Sequence, residues 1–252
     1  MKTLVPAVAL CLLAAPVSGA PPVGTLKVFV KAAEVKERKN VDDATKKALK
    51  EKKDAAKEAR KALEKQLKEK HGKKEEAWPP DVQDQLFEAR EEEAIARADY
   101  EYRKIDPKGL KDSVEDVLES LRGKGLAGVK ERVGVVGSAG EADLVVEIMA
   151  RRGEKTLPTQ FKADTCYLLF TLGPGGEVKQ ERFAKIPANY RYRSWKFAAW
   201  KLRSPKPDEP WFYFESSNGG GNEVGCHGAA ANAASAVIDK FVEDNYATLK
   251  GR

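Results

Sequence analysis

The chain has 252 residues and a formal net charge of +6, and 33% of its residues are charged. That length suits one domain with an elaboration, or two small domains, and so mild a basic excess demonstrates no acidic partner. The two histidines (His71 and His227) and the two cysteines beyond the N-terminal segment, with no C-x-x-C spacing, fall short of a zinc signature, so no metal and no cofactor is expected.

The first residues read as an export signal. Lys2 gives a positive start, residues 4–15 are an apolar run interrupted only by Pro6, and Pro16-Val17-Ser18-Gly19-Ala20 supplies small residues for cleavage. The run is too short to span a bilayer. Cleavage is expected near Gly19-Ala20. Cys11 follows Leu10, whereas a lipid-modified cysteine follows a small residue, so a lipoprotein is not expected. The expected location is periplasmic or secreted. In such an oxidising compartment the remaining even pair, Cys166 and Cys226, suggests a disulfide.

Leu26-Lys27-Val28-Phe29-Val30 alternates as a short strand. From residue 34 to 105 alanine, lysine and glutamate dominate, all strong helix formers. Asp42 or Asp43 caps a first helix that runs to about residue 70. His71-Gly72 ends it, Trp78-Pro79-Pro80 turns, and a second helix reaches about residue 103. Residues 36–74 hold 16 Lys and Arg against 8 Asp and Glu, whereas residues 75–105 hold 4 against 10. Antiparallel packing would set opposite charges side by side over a thin seam of Ala48, Leu49, Ala55, Ala56, Ala59, Ala62, Leu63 and Leu67 against Leu86, Phe87, Ile95, Ala98 and Tyr102. The expectation is a protruding, partly coiled-coil-like helical hairpin.

Asp106-Pro107 opens a third helix, and Leu110, Val114, Val117, Leu118 and Leu121 give it one apolar face. Residues 132–136 are a short strand. Residues 142–149 are nearly all apolar, as near a sheet centre. Residues 165–172 and 177–183, about Gly173-Pro174-Gly175-Gly176, are expected to form a hairpin of strands. Cys166, Leu168, Phe170 and Leu172 share one apolar face, which turns Cys166 to the core. Residues 190–202 read as a strand, 216–225 as a Gly-rich loop, and 229–249 as a last helix with a buried stripe of Ala230, Ala233, Ala234, Val237, Ile238, Phe241 and Val242.

The whole is expected to be α+β: a small mixed sheet packed by an amphipathic helix and a C-terminal helix, with an inserted charged helical hairpin. Residues 1–20 are the signal, 21–33 and 106–252 the core, and 34–105 the insertion. The order built by Lys27-Val28-Phe29-Val30, the helix with Leu110 and Leu121, Glu141-Ala142-Asp143-Leu144-Val145-Val146, Tyr167 to Phe170 and the terminal helix resembles the α/β domain of CsgG-type and TolB-amino-terminal-type envelope proteins. That resemblance covers residues 26–33 and about 107–245. It implies an interaction scaffold and carries over no catalytic or binding motif.

Three constellations bear on chemistry. Gly225-Cys226-His227-Gly228 lies just before the last helix, where a thiol pKa falls; a Cys166–Cys226 disulfide is one reading, a free structural thiol a second, and a cysteine nucleophile a third. No catalytic residue is assigned. Tyr190-Arg191-Tyr192-Arg193-Ser194-Trp195-Lys196-Phe197 interleaves aromatics with bases. With Lys201, the residues Arg191, Arg193, Trp195 and Lys196 form a candidate strip for an anionic glycan or lipid, against the plainer reading of an ordinary strand whose bases snorkel. Glu91-Glu92-Glu93 reads as a solvated face. The functional expectation is an exported, non-enzymatic scaffold whose partner is another envelope protein. A binder of anionic glycan or lipid is the alternative, a cysteine-dependent hydrolase stands further back, and no nucleic acid is expected.

Overall fold

The computed structural model describes residues 25–35, 37, 41–123, 132–155, 164–187, 190, 193–194, 199–206, 208–219 and 223–251. The export signal falls outside these residues.

The fold is α+β, built on one seven-stranded mixed sheet in the order β2-β1-β3-β4-β7-β6-β5. Strands β1 (Leu26–Ala32), β2 (Val133–Val135) and β3 (Leu144–Lys155) are parallel neighbours, with β1 in the middle. From β3 onward, β4 (Asp164–Pro174), β7 (Phe212–Gly219), β6 (Ala199–Arg203) and β5 (Arg193–Ser194) pair antiparallel. The apolar run expected near the sheet centre is β3, next to the central strand β4.

One face of the sheet is covered by three helices. These are α3 (Pro107–Leu121), α4 (Glu177–Phe183) and α5 (Glu223–Lys250). The apolar spacing of α3 delivers Leu110, Val117 and Leu121 to the core, while Asp106 at its N-cap turns to the Arg151 guanidinium at 3.3 Å rather than capping the backbone. The alanines of α5 bring it close to β4 and β7, where Phe170, Phe212, Phe214 and Phe241 interlock with ring centroids 5.3–6.4 Å apart. Such offset and edge-on contacts add to area burial.

The segment 177–183 is a helix, not the expected second strand of a hairpin. Its residues are mostly strong helix formers, and both edges of β4 are already taken by β3 and β7. The helix instead drives Phe183 against Phe212 and Phe241. The expected loop at 216–225 is also corrected. Strand β7 runs through Ser216 and Ser217 to Gly219, and α5 begins at Glu223. Ser216 is buried because its Oγ donates to the Ala230 carbonyl of α5 at 2.9 Å. Within 190–202 the described residues hold two short antiparallel strands, β5 and β6, rather than one.

Glycine is required at the end of β4. A Cβ on Gly175 would lie 2.0 Å from the Ala142 carbonyl oxygen. Backbone cannot swing aside as a flexible side chain can. Gly175→Ala should therefore lose about 1–3 kcal/mol of unfolding free energy, read from the urea midpoint at unchanged slope.

The other face carries the charged hairpin of α1 (Asp43–His71) and α2 (Pro80–Glu101). Asp42 is the cap: its Oδ1 accepts the Thr45 amide at 2.8 Å, which holds its carboxyl below the usual range. Gly72 ends α1 at φ 88°, a backbone region that favours glycine. The expected seam between the helices is short. Leu67 and Leu86 close a small distal core with Trp78 and Val82, and the Trp78 indole donates to the Gly72 carbonyl at 2.8 Å. Nearer the sheet, Ala98 and Tyr102 leave the seam and pack with Ala150 and Leu202 of the sheet. The hairpin is thus anchored along the sheet by α2, and only its distal end stands on its own core.

Charge pairing across the hairpin is thinner than the composition suggests. Lys52–Asp99 at 2.7 Å and Arg60–Glu93 at 2.7 Å join α1 to α2. Much of the basic excess of α1, including Lys46, Lys50 and Lys57, faces solvent.

Candidate functional site

The disulfide reading of the cysteine pair holds. Cys166 on β4 and Cys226 in the first turn of α5 are bonded, with Cα atoms 5.4 Å apart and both residues fully buried. Cys226 therefore offers no thiolate at the helix N-terminus. Its neighbour His227 cannot act as its base, and His71 lies far off beside Trp78.

Of the candidate basic-aromatic strip, the described residues place one member in full, Lys201. Arg191, Trp195 and Lys196, and the side chain of Arg193, lie outside the described residues. Lys201 is withdrawn from solvent, with its side chain 1% exposed. Its ammonium sits 3.1 Å from Glu91 Oε1, 2.9 Å from Ser204 Oγ, and 4.4 Å from the Phe87 ring centre. A charge so buried must be paired, and the pair is made with the hairpin. Glu91 is accordingly no part of a solvated face, and Glu93 is held by Arg60; of the three consecutive glutamates, Glu92 is the exposed one.

A second polar cluster, which the sequence reading missed, fixes α2 to the sheet. Glu215 on β7 is fully buried. Its Oε2 accepts from the Arg97 guanidinium at 2.9 Å, and its Oε1 accepts from the Tyr102 hydroxyl at 2.7 Å. Arg152 of β3 stands 3.9 Å from the same carboxylate, 2.8 Å from Glu101, and 3.7 Å from the Tyr167 ring centre. The register shift between Ile148 and Ala150 puts Arg152 there. Ile148 belongs to the helix-covered core, and strict alternation would have sent residues 150 and 152 to that same face. The bulge reverses them. The visible signals were Glu215 closing the aromatic run Trp211-Phe212-Tyr213-Phe214, and Arg97 as one of few bases in an acidic helix.

Burial, and then the negative charge of Glu215, hold the Tyr102 hydroxyl well above its ordinary pKa of 10.0. The folded chain therefore keeps this proton at a pH where the unfolded chain releases it. Stability falls as pH rises past the unfolded value. Tyr102→Phe should flatten the loss of urea midpoint above about pH 10 relative to the parent, while lowering the midpoint at neutral pH through the acceptor left on Glu215.

Beside the Lys201–Glu91 contact, with Glu91 and Ser204 in its lining, lies a cleft of about 680 Å³, within the range of ligand sites. One wall is the hairpin, with Ala56 of α1 and Phe87, Ile95 and Ala96 of α2. The other is the β6–β7 connection, from Arg203 through Ser204 and Pro205 to Lys206. Lys52, Asp84, Glu88, Glu91 and Glu92 complete the lining. The Lys201–Glu91–Ser204 contact joins the two walls. Ser204 Oγ donates to Glu91 Oε1 at 2.8 Å across the gap.

Comparison with protein-family models, with curated proteins and with solved structures finds no match to this chain. The cleft is therefore read on its own chemistry. It has an apolar floor and charged rims, but no cysteine or histidine among its lining residues. Among the described residues, no group of three or more His, Cys, Asp or Glu could hold a metal ion, and no helix is long and apolar enough to cross a membrane.

Proposed function

We propose that this chain is an exported, non-enzymatic binding scaffold, in which the anchored hairpin and the β6–β7 connection form a preset cleft for a segment of another envelope protein. The observation that carries the reading is the cleft itself. Its walls are joined by a buried lysine–glutamate contact, and α2 is tied to the sheet by the Glu215 cluster, so little order need be gained on binding. The apolar run with its small-residue end at residues 4–20, the cysteine bridge and the CsgG/TolB-like order of elements support export to an envelope compartment.

The experiment is site-directed photocrosslinking in the native host. A photoreactive residue at Ile95 should give a discrete adduct with one protein, and the same group at the solvent face of α1, at Lys57, should not. Phe87→Glu should abolish the Ile95 adduct. Equal adducts from both positions, or none from Ile95, would count against the cleft as the binding element. N-terminal sequencing of the fractionated protein tests export: a start beyond residue 20 in the periplasm or medium is expected, and an intact Met1 in the cytoplasm would remove that part of the reading.

A further inference from the structure

The charge of the cleft points to the chemistry of its occupant. Two of its cations are already engaged outside it: Lys52 with Asp99 at 2.7 Å, and Arg203 with Glu209. Arg203 also lies 5.1 Å from the Tyr213 ring centre. Glu91 is likewise engaged, by Lys201. Glu88 and Glu92 differ. Both are exposed, and neither makes an ion pair among the described residues. Lys206, on the far wall, is the remaining cation. The unmatched charge of the cleft is therefore negative, and it sits on one wall.

Its arrangement is regular. Asp84, Glu88 and Glu92 follow one another at four-residue steps along α2, so they rise in a column at about 6 Å intervals. Phe87 and Ile95 line the cleft from the same helix and form its apolar floor. A ligand meeting both must carry cations at a similar spacing beside an apolar group. A basic peptide does so: side chains one helical turn apart, or two residues apart in an extended chain, repeat at about 6 Å.

We infer that the cleft receives a cationic protein segment, whose lysines or arginines lie along Glu88 and Glu92 and whose apolar side chain rests between Phe87 and Ile95. This rests on the cleft being the binding element. The acidic rim draws the segment in and sets its direction, while the apolar floor retains it. Preference for lysine over glutamine is expected to fall as salt rises, because the rim carboxylates are open to screening.

The test uses the full mature chain and three short alanine-based helical peptides. Each has one leucine, and each carries lysine, glutamine or glutamate at every fourth position. Backbone amide shifts of Phe87 and Ile95 report occupancy, and fluorescence anisotropy reports affinity. The lysine peptide should bind about tenfold more tightly than the glutamine peptide, and the glutamate peptide least. Glu88→Gln with Glu92→Gln should remove that difference. Both positions are exposed, so this variant should fold as the parent does. Lysine and glutamine peptides that bind alike while shifting Phe87 and Ile95 would overturn the charge inference and leave the cleft as a site. A lysine peptide that shifts the Lys46–Lys57 side of α1, or no peptide that shifts Phe87 and Ile95, would overturn both. A lysine preference that survives the double variant would overturn the assignment to Glu88 and Glu92.

Discussion

Replacing Cys166 and Cys226 together by alanine should lower the unfolding free energy by about 4 kcal/mol. The bridge closes a loop with a sequence separation of 60. In the chain-entropy view, a loop of that length restrains the unfolded state by about that amount. For a chain of this size the melting temperature should drop by about 8–16 °C. Its position sharpens the expectation. Cys166 lies on β4, the central strand, and Cys226 in the first turn of α5, so the bond ties the sheet to the N-terminal end of its largest covering helix. Hydrogen exchange should accelerate most near the start of α5 and least in the hairpin. Reduction of the parent protein should reproduce the alanine variant. A change below about 1 kcal/mol would mean that Phe170, Phe214 and the α5 alanines hold this junction without the bond.

Some of this architecture was legible because its signals are local. The five apolar residues of α3 repeat on one helical face, the alternation through Cys166, Leu168, Phe170 and Leu172 places the cysteine in the core, and Asp42 precedes an uninterrupted run of helix formers. The α4 reading failed where two local signals competed. A Gly-Pro turn suggested a hairpin, while the composition of the next seven residues favoured helix, and the decision lay with β3 and the later strand β7, which occupy both edges of β4. The cleft was less visible still. Its parts come from residues 52–56, 84–96 and 203–206, and nothing in any one of these segments names the other two. Lys201 illustrates the point: among Arg, Trp and Lys residues it read as one more exposed base, but the partner that buries it, Glu91, is on a helix formed a hundred residues earlier.

Glu215 should be the most sensitive single position outside the aromatic core. The carboxylate has no exposed surface, and it takes the Arg97 guanidinium on one oxygen and the Tyr102 hydroxyl on the other. Glu215→Ala removes both acceptors and leaves Tyr102 and part of Arg97 without partners against the sheet. Breaking a buried pair from one side costs about 3–5 kcal/mol, more than the pair contributes net. Glu215→Gln keeps an acceptor for Tyr102 and should lose less, read from urea midpoints of both variants. A third variant separates the sources of the loss. Glu215→Leu combined with Arg97→Met exchanges that charge pair for apolar groups, and much of the stability should return, because Arg152 keeps Glu101 at 2.8 Å and the Tyr102 hydroxyl alone loses its acceptor. If this double variant is as unstable as Glu215→Ala, the cluster acts through the geometry it gives α2 rather than through its charge. That distinction reaches the cleft, since α2 carries Phe87 and Ile95, and Arg97 lies two residues beyond Ile95. A variant that regains stability while the shifts of Phe87 and Ile95 stay displaced would show that the buried ions set the position of the wall. One that regains both would show that apolar packing of Tyr102, Ala150 and Leu202 places the hairpin.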